Sequence, residues 1–256
     1  MLKRCCFTAV DDNLYYPIGT HIFVNSFKRF HPDIDLIIFR QDTIDKLFLE
    51  KEINWYSAKP FFAELLEDKY DFVVNMDADH IILDRMTEVF DNINYEVGAP
   101  WNFNDYENAS FENITEEMYL QGGMIASTSK KFWKTWRKAN KDAMKYIRKE
   151  NDVMNLVIYN QLSNLSLKIF DKDKDYYGCK SLGREPKFYV EGKKTMYMGE
   201  QVVAYHYARG GGALPKLVID SMPLVDEVKD LWKEIAYYGQ SILIKGGNFV
   251  QAIYNI

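Results

Sequence analysis

The chain has 256 residues, which is enough for one large α/β domain or two small ones. Hydrophobic residues make up 47% of it and aromatic residues 15%, so a large core is available and global disorder is excluded. A net charge of -5 and a pI near 5.5 argue against a nucleic-acid-binding protein, which would carry a basic surface.

The first residues and the cysteines indicate a compartment. The opening MLKRCCFTAV has no signal-peptide core, and no apolar run of the sequence is long enough to cross a bilayer. Cys5 and Cys6 are adjacent in an apolar segment and Cys179 is far away, a spacing that forms no metal site and indicates buried, reduced thiols. We therefore expect a cytoplasmic protein without a transmembrane segment.

The hydrophobic pattern predicts strands that alternate with helices. The predicted strands are, in chain order, Arg4–Val10, Leu36–Phe39, Tyr70–Met76, Val97–Trp101 and Leu167–Phe170. The predicted helices are Pro17–Phe30, Lys59–Glu67 and Lys130–Lys149. This alternation predicts a mostly parallel sheet covered by helices on both faces, and such sheets bind ligands at the carboxyl ends of their strands.

The last part of the sequence predicts one more helix. From Leu224 onward, apolar residues recur at helical spacing: Val228, Leu231, Trp232, Ile235 and Ile242. Its polar side is acidic, which argues against binding to an anionic membrane surface. We expect a catalytic domain over residues 1–222 and a C-terminal helical extension over residues 223–256 that packs on it.

The most informative segment reads YDFVVNMDADHIIL. An apolar run ends in Asp77 and Asp79, and a second apolar run begins at Ile81. Two carboxylates at the end of a buried strand need a neutralising cation, and a hard divalent ion takes oxygen ligands and bridges to phosphates. The segment predicts a metal–diphosphate site, and the alternative is a polar turn whose Asp side chains cap backbone amides.

With its neighbouring segments this motif resembles GT-A fold glycosyltransferases, and the order of the segments is most similar to glycosyltransferase family 8, which includes glycogenin. The resemblance runs from about Phe7 to Lys216 and is strongest over Tyr56–Leu83. It implies a single Rossmann-like α/β domain of the GT-A type, with a mostly parallel central sheet flanked by helices. It also implies a nucleotide-sugar donor, with UDP as the nucleotide.

Two segments carry the implied nucleotide site. FTAVDDNLYY is similar to the family's opening strand and loop, which implies that Thr8, Ala9 and Asp11 contact the base or ribose and that Tyr15 stacks on the base. Packing against the helix start is the alternative for Tyr15. SAKPFF is similar to the segment that supplies a donor-site lysine, here Lys59, and a solvated side chain is the alternative.

The implied metal ligands come from two distant segments. In MDADHIIL the resemblance implies that Asp79 ligates the ion directly and that Asp77 shares the ion and the ribose. His80 replaces the Thr of the family pattern, and we interpret it as a packed or solvent-facing side chain. HYARGGGALPK is similar to the segment that ends the family fold and implies His206 as the third ligand. This mixed oxygen and nitrogen shell suits Mn²⁺, with Mg²⁺ as the second choice.

The same late segment implies contacts to the diphosphate. The glycine run Gly210–Gly212, centred on Gly211, would offer backbone N–H groups to phosphate oxygens. Lys216 would contact the diphosphate, although it follows Pro215 instead of preceding a proline as in the family pattern.

Two further segments imply the sugar and acceptor contacts. YLQGGMIAS is similar to the family's N-S-G strand, so that Gln121 would bind sugar hydroxyls while Gly122 and Gly123 leave room for the sugar. KENDVMNLVIY places Glu150 and Asp152 at a helix start. We expect Asp152 to be the acceptor-side catalytic carboxylate, a general base if the enzyme inverts, with a helix N-cap as the alternative.

The expected function is that of a metal-dependent glycosyltransferase of the hexosyltransferase type, which moves a sugar from a UDP-sugar to a glycan or another hydroxyl acceptor. One alternative is a haloacid dehalogenase-like phosphatase, which also places D-x-D after a strand. That family carries its motif near the amino terminus and a Thr or Val where Ile81 stands here. The other alternative is a catalytically inactive module that binds sugar nucleotides.

Overall fold

The computed structural model describes residues 2–10, 16–101, 113–143, 150–170, 175–176, 188–197 and 199–206. The chain divides into two compact units. Unit 1 contains Met1–Ala9, Ile34–Asp77 and Thr87–Asp173, and unit 2 contains Val10–Asp33, Ala78–Met86 and Lys174–Ile256. The helix predicted after Leu224 and the domain boundary predicted after residue 222 lie outside the described residues.

The described residues form twelve strands and six α-helices. In chain order these are β1 (Arg4–Ala9), α1 (Tyr16–Phe30), β2 (Asp35–Phe39), α2 (Gln41–Lys51), α3 (Lys59–Glu64), β3 (Phe72–Met76), β4 (His80–Ile82), α4 (Thr87–Phe90), β5 (Val97–Pro100), β6 (Met124–Ser127), α5 (Lys130–Ala143), α6 (Glu150–Leu156), β7 (Leu167–Phe170), β8 (Asp175–Tyr176), β9 (Phe188–Glu191), β10 (Lys194–Tyr197), β11 (Glu200–Val202) and β12 (Ala204–His206). A π-helical turn, Val157–Gln161, continues α6. None of the helices in these ranges is both long enough and apolar enough to span a bilayer.

Unit 1 is built on a six-stranded sheet with the strand order β2-β1-β3-β6-β5-β7. Every neighbouring pair is parallel except the two pairs that contain β6. This confirms the predicted α/β architecture with a mostly parallel sheet flanked by helices. The five predicted strands all form, with ends that differ from the predicted ones by at most two residues. Cys5 and Cys6 on β1 are buried free thiols, as predicted.

One face of this sheet packs against α2, α3, α5 and α6 to form the core of unit 1. Alternate residues of each strand enter that core because successive side chains of a strand point to opposite faces. Phe7 on β1, Phe39 on β2 and Phe62 on α3 form an aromatic cluster, in which the rings of Phe39 and Phe62 stack with centroids 4.8 Å apart. Helix α5 is capped at its start by the Ser129 hydroxyl, which accepts a hydrogen bond from the Phe132 N–H at 3.2 Å.

Unit 2 contains a two-stranded antiparallel sheet, β12-β4, and a four-stranded sheet of order β8-β11-β10-β9. Helix α1 packs against β4, and the Ser26 hydroxyl of α1 accepts a hydrogen bond from the Ile82 N–H at 3.1 Å. Just after β4, the Arg85 guanidinium binds both oxygens of Asp33, at 2.7 and 3.0 Å. These bonds hold β4 in place beside α1.

Two leucines of α2 test the assignment of the core. Leu47 is 4% exposed within the core of unit 1, whereas Leu49 on the same helix is 81% exposed. We expect Leu47→Ala to lower the free energy of unfolding by about 2–5 kcal/mol, because it removes buried apolar surface and leaves a cavity. Leu49→Ala, the matched control, should change it by less than about 0.5 kcal/mol. Urea unfolding followed by circular dichroism measures both, and equal losses would contradict the packing described here.

Candidate functional site

A largely buried lysine, Lys59, organises the carboxyl end of β3 in unit 1. Lys59 is the first residue of α3, and Pro60 follows it in the first turn, where its missing N–H is not needed. The Lys59 ammonium lies 2.9 Å from the nearer oxygen of Asp77, donates to the Gly122 carbonyl at 2.9 Å, and forms an ion pair with Glu150. Its side chain is only 13% exposed. Lys59 is therefore not the solvated side chain of the alternative interpretation.

The charges in this cluster compensate one another. Burial alone would lower the pKa of Lys59, but the carboxylates of Asp77 and Glu150 outweigh it and hold this pKa above its ordinary value. Lys59 consequently stays positively charged at neutral pH. Three hydrogen-bond partners match the three donors of an ammonium group.

The turn before β6 is held by two asparagines of α6. The Gly122 N–H donates to Asn151 Oδ1 at 2.8 Å, and a Cβ at Gly122 would lie 2.6 Å from that oxygen, so a larger residue would displace the Asn151 side chain. One turn later on α6, Asn155 accepts from the Leu120 N–H and donates to the Leu120 carbonyl, both at 2.9 Å. The side-chain amides thus satisfy backbone groups of this turn at Leu120 and Gly122.

Other predicted site residues also lie in unit 1. Thr8 is fully buried near the end of β1, and its hydroxyl has no hydrogen-bond partner among the described residues. Ala9 is the last residue of that strand, and Gln121 is buried just before the two glycines. Asp152 on α6 is 7% exposed and accepts a hydrogen bond from the Tyr119 hydroxyl at 2.5 Å. The roles predicted for these residues in donor binding and catalysis stay predictions.

Unit 2 contains the candidate metal ligands. Asp79, His80 and His206 each offer a ligand atom, and these atoms lie within 4.8 Å of one another. His206 Nε2 lies 2.9 Å from Asp79 Oδ1. The antiparallel register of β4 and β12 pairs His80 directly with His206, and their rings stack with centroids 4.2 Å apart and planes inclined by 9°.

The separation of Asp79 and His206 fits joint ligation of one divalent ion. Metal bonds to such oxygen and nitrogen atoms are about 2.1 Å long, so two ligands at right angles lie about 3 Å apart. The 2.9 Å between Oδ1 and Nε2 matches that separation. A carboxylate with an imidazole is also a donor set that Mn²⁺ accepts. The two residues therefore fit the ion that the resemblance implies.

The charge state of Asp79 suits a cation site. Burial opposes a charge on its carboxylate, but the imidazoles of His206 and His80 outweigh that effect and hold the pKa of Asp79 below its ordinary value. The carboxylate is therefore ionised at neutral pH. Asp77, the third predicted ligand, is the last residue of its segment in unit 1, where its carboxylate pairs with Lys59.

Some predicted site residues lie outside the described residues. These are Asp11 and Tyr15 in the first loop, and Gly211 and Lys216 in the late segment.

The structure adds three residues that sequence reasoning did not place in the site: Glu150, Asn151 and Asn155. The sequence pattern marks Glu150 only as a neighbour of Asp152 at a helix start. The two asparagines are four residues apart, so they lie on the same side of α6. A pair of amides at that spacing on one short helix is the signal that could have indicated hydrogen bonds to a neighbouring turn.

Comparison with known proteins supports the fold. No protein-family model and no curated protein sequence matches this chain. Among solved structures, WbbM, a bifunctional glycosyltransferase in its apo form, matches 91% of the chain with a TM-score of 0.54 and 14% identity. A glycosyltransferase involved in the glycosylation of the major capsid of PBCV-1 matches 84% of the chain, with a TM-score of 0.51 and 9% identity. The chain has the GT-A fold.

The two matches differ in how much of the other protein they cover. The chain spans 51% of the length of WbbM and 98% of the length of the PBCV-1 enzyme. At these identities the likeness concerns the fold, and the function has to be argued from the site residues.

Substitution of Lys59 tests the charge cluster. We expect Lys59→Met to lower the free energy of unfolding by about 2–3 kcal/mol, because it leaves Asp77 and Glu150 as uncompensated, partly buried charges. Adding Glu150→Gln should recover part of that loss, because one of the two charges disappears.

The control for this series is Lys46→Met on α2. Lys46 is 73% exposed and lies 3.9 Å from Glu50, so this surface pair should contribute less than about 0.5 kcal/mol. Urea unfolding of the four proteins measures the effects. A Lys59→Met protein as stable as Lys46→Met would contradict the role assigned to Lys59.

Proposed function

We propose that this protein is a metal-dependent glycosyltransferase that moves a sugar from a nucleotide sugar, with UDP as the nucleotide, to a hydroxyl of a saccharide or another acceptor. Membership of glycosyltransferase family 8 and transfer of a hexose belong to the same proposal, and they rest on the motifs quoted above. The observation that carries it is the Asp79–His206 pair, a carboxylate and an imidazole 2.9 Å apart, in a chain with the GT-A fold.

Asp79 and His206 are the residues that we assign to the ion, with Asp77 as the further ligand that the D-x-D motif implies. When bound, a divalent ion neutralises charge on the nucleoside diphosphate as it leaves the sugar. Asp79 is suited to this role because its carboxylate is ionised at neutral pH. His206 is suited because its imidazole, once it loses the Nε2 proton that pairs with Asp79, offers a nitrogen lone pair to the ion.

We assign the donor sugar to the turn that contains Gln121, Gly122 and Gly123. Lys59 donates to the Gly122 carbonyl, which fixes the backbone of this turn and places a positive charge beside it. Because Asp77 and Glu150 offset this charge, the role that we assign to Lys59 in donor binding is to hold the turn in place. Asp152 is the carboxylate that we assign to the acceptor side, oriented by the hydroxyl of Tyr119.

Turnover of nucleotide sugars tests the proposal. We expect release of nucleoside diphosphate from one member of a panel of nucleotide sugars in the presence of Mn²⁺, and loss of that release with EDTA. Asp79→Asn and His206→Ala should each lower turnover roughly 100-fold or more, because each removes a metal ligand. A coupled assay for the released nucleoside diphosphate measures both effects.

Asp45→Asn is the matched control for Asp79→Asn. Asp45 is an exposed carboxylate of α2 that accepts a hydrogen bond from Gln41, and its loss should leave turnover unchanged. Phosphate release from phosphomonoesters, without turnover of any nucleotide sugar, would favour the phosphatase instead. Tight binding of a nucleotide sugar without turnover would favour an inactive binding module.

A further inference from the structure

We propose that His80 is a positioning residue for the metal site: its ring fixes the plane of the His206 imidazole, and it does not ligate the ion itself. The inference rests on the proposed function only in assigning a metal to His206. Neither the D-x-D motif nor the resemblance assigns a role to a ring at this position, where the family pattern has a threonine.

The two rings meet because of the strand register. His80 begins β4 and His206 ends β12, and the antiparallel pairing places them directly opposite each other. Side chains of directly opposed residues lie close together on one face of an antiparallel pair. Both are buried, with 1% of His80 and 6% of His206 exposed, so the contact is shielded from solvent.

The relative orientation of the two ring planes indicates that only one of the two imidazoles ligates the ion. The lone pair of an imidazole nitrogen lies in the ring plane, so a bound ion lies in that plane as well. The planes of His80 and His206 are nearly parallel, inclined by 9° with centroids 4.2 Å apart. An ion in the plane of His206 is therefore displaced from the plane of His80. His206 is the ligand of the pair because its Nε2 lies 2.9 Å from Asp79 Oδ1.

Stacking against His206 explains the effect of an aromatic ring at position 80. A stacked neighbour restricts rotation of the His206 ring about its last side-chain bond and so keeps Nε2 directed towards Asp79. Partners that orient a metal-binding imidazole typically change metal affinity 10- to 100-fold when they are removed. A threonine has no ring and cannot supply this contact.

Three variants of His80 separate a positioning ring from a ligand. Phe keeps a ring without nitrogen, Asn keeps polar atoms without a ring, and Ala removes both. We expect His80→Phe to bind Mn²⁺ within about 3-fold of the wild-type affinity, and His80→Asn and His80→Ala to bind about 10-fold more weakly. Titration of the full chain with Mn²⁺, followed by electron paramagnetic resonance, measures the dissociation constants without requiring turnover.

A spectroscopic measurement on the wild-type protein gives an independent readout. Electron spin echo envelope modulation of bound Mn²⁺ should detect one coordinated histidine nitrogen, and this signal should persist in His80→Phe and disappear in His206→Ala. Circular dichroism checks that each variant is folded. Two coordinated nitrogens in the wild type, or a folded His80→Phe protein that binds as weakly as His80→Ala, would overturn the proposal. Wild-type affinity in all three variants would also overturn it.

These outcomes are distinct from a failure of the proposed function. If Mn²⁺ binding follows the expected His80 series but no nucleotide sugar turns over, the positioning role stands and the transferase activity fails. If the wild type does not bind Mn²⁺, or His206→Ala binds it equally well, the metal assignment fails and the role of His80 fails with it.

Discussion

The ammonium group of Lys59 lies between two carboxylates and a backbone carbonyl, and the carboxyl edge of the unit 1 sheet depends on it. Asp77 follows β3, Glu150 begins α6, and Gly122 lies in the turn before β6. Two of these partners carry negative charge and would repel each other without the lysine. One largely buried cation therefore connects a helix start, a strand end and a glycine turn, and these bonds fix the turn that we assign to the donor sugar.

In unit 2 the candidate metal site depends on the register between strands β4 and β12. The pairing of β4 with β12 brings His206 beside the segment that carries Asp79, although about 130 residues of chain separate them. A slip of one residue would turn the His206 side chain to the other face of the strand. The bonds from the Ile82 N–H to Ser26 and from Arg85 to Asp33 hold β4 in place beside α1.

Much of the architecture could be predicted because the strands of unit 1 are short segments rich in apolar residues. Arg4–Ala9 and Phe72–Met76 have no competing interpretation, and their alternation with helices predicted the parallel sheet. Helix α2 was not predicted, because Ile44 and Leu47 are its only buried residues and they lie among charged side chains. The antiparallel direction of β6 was not predicted either, because a sequence of four small or apolar residues does not indicate in which direction a strand runs. The chain passes from one unit to the other five times, so no single linker marks the division.

The sequence by itself determined which ionisable residues the candidate site contains. Its carboxylates follow a buried strand, and charge burial makes that pattern costly unless a cation is present. Only the tertiary structure decided how those groups are used. It pairs Asp77 with Lys59 and Asp79 with His206, and it places His80 against the His206 ring. The reason is that each contact joins segments that are far apart in the chain, and distances between such segments follow from sheet pairing and helix packing rather than from local spacing.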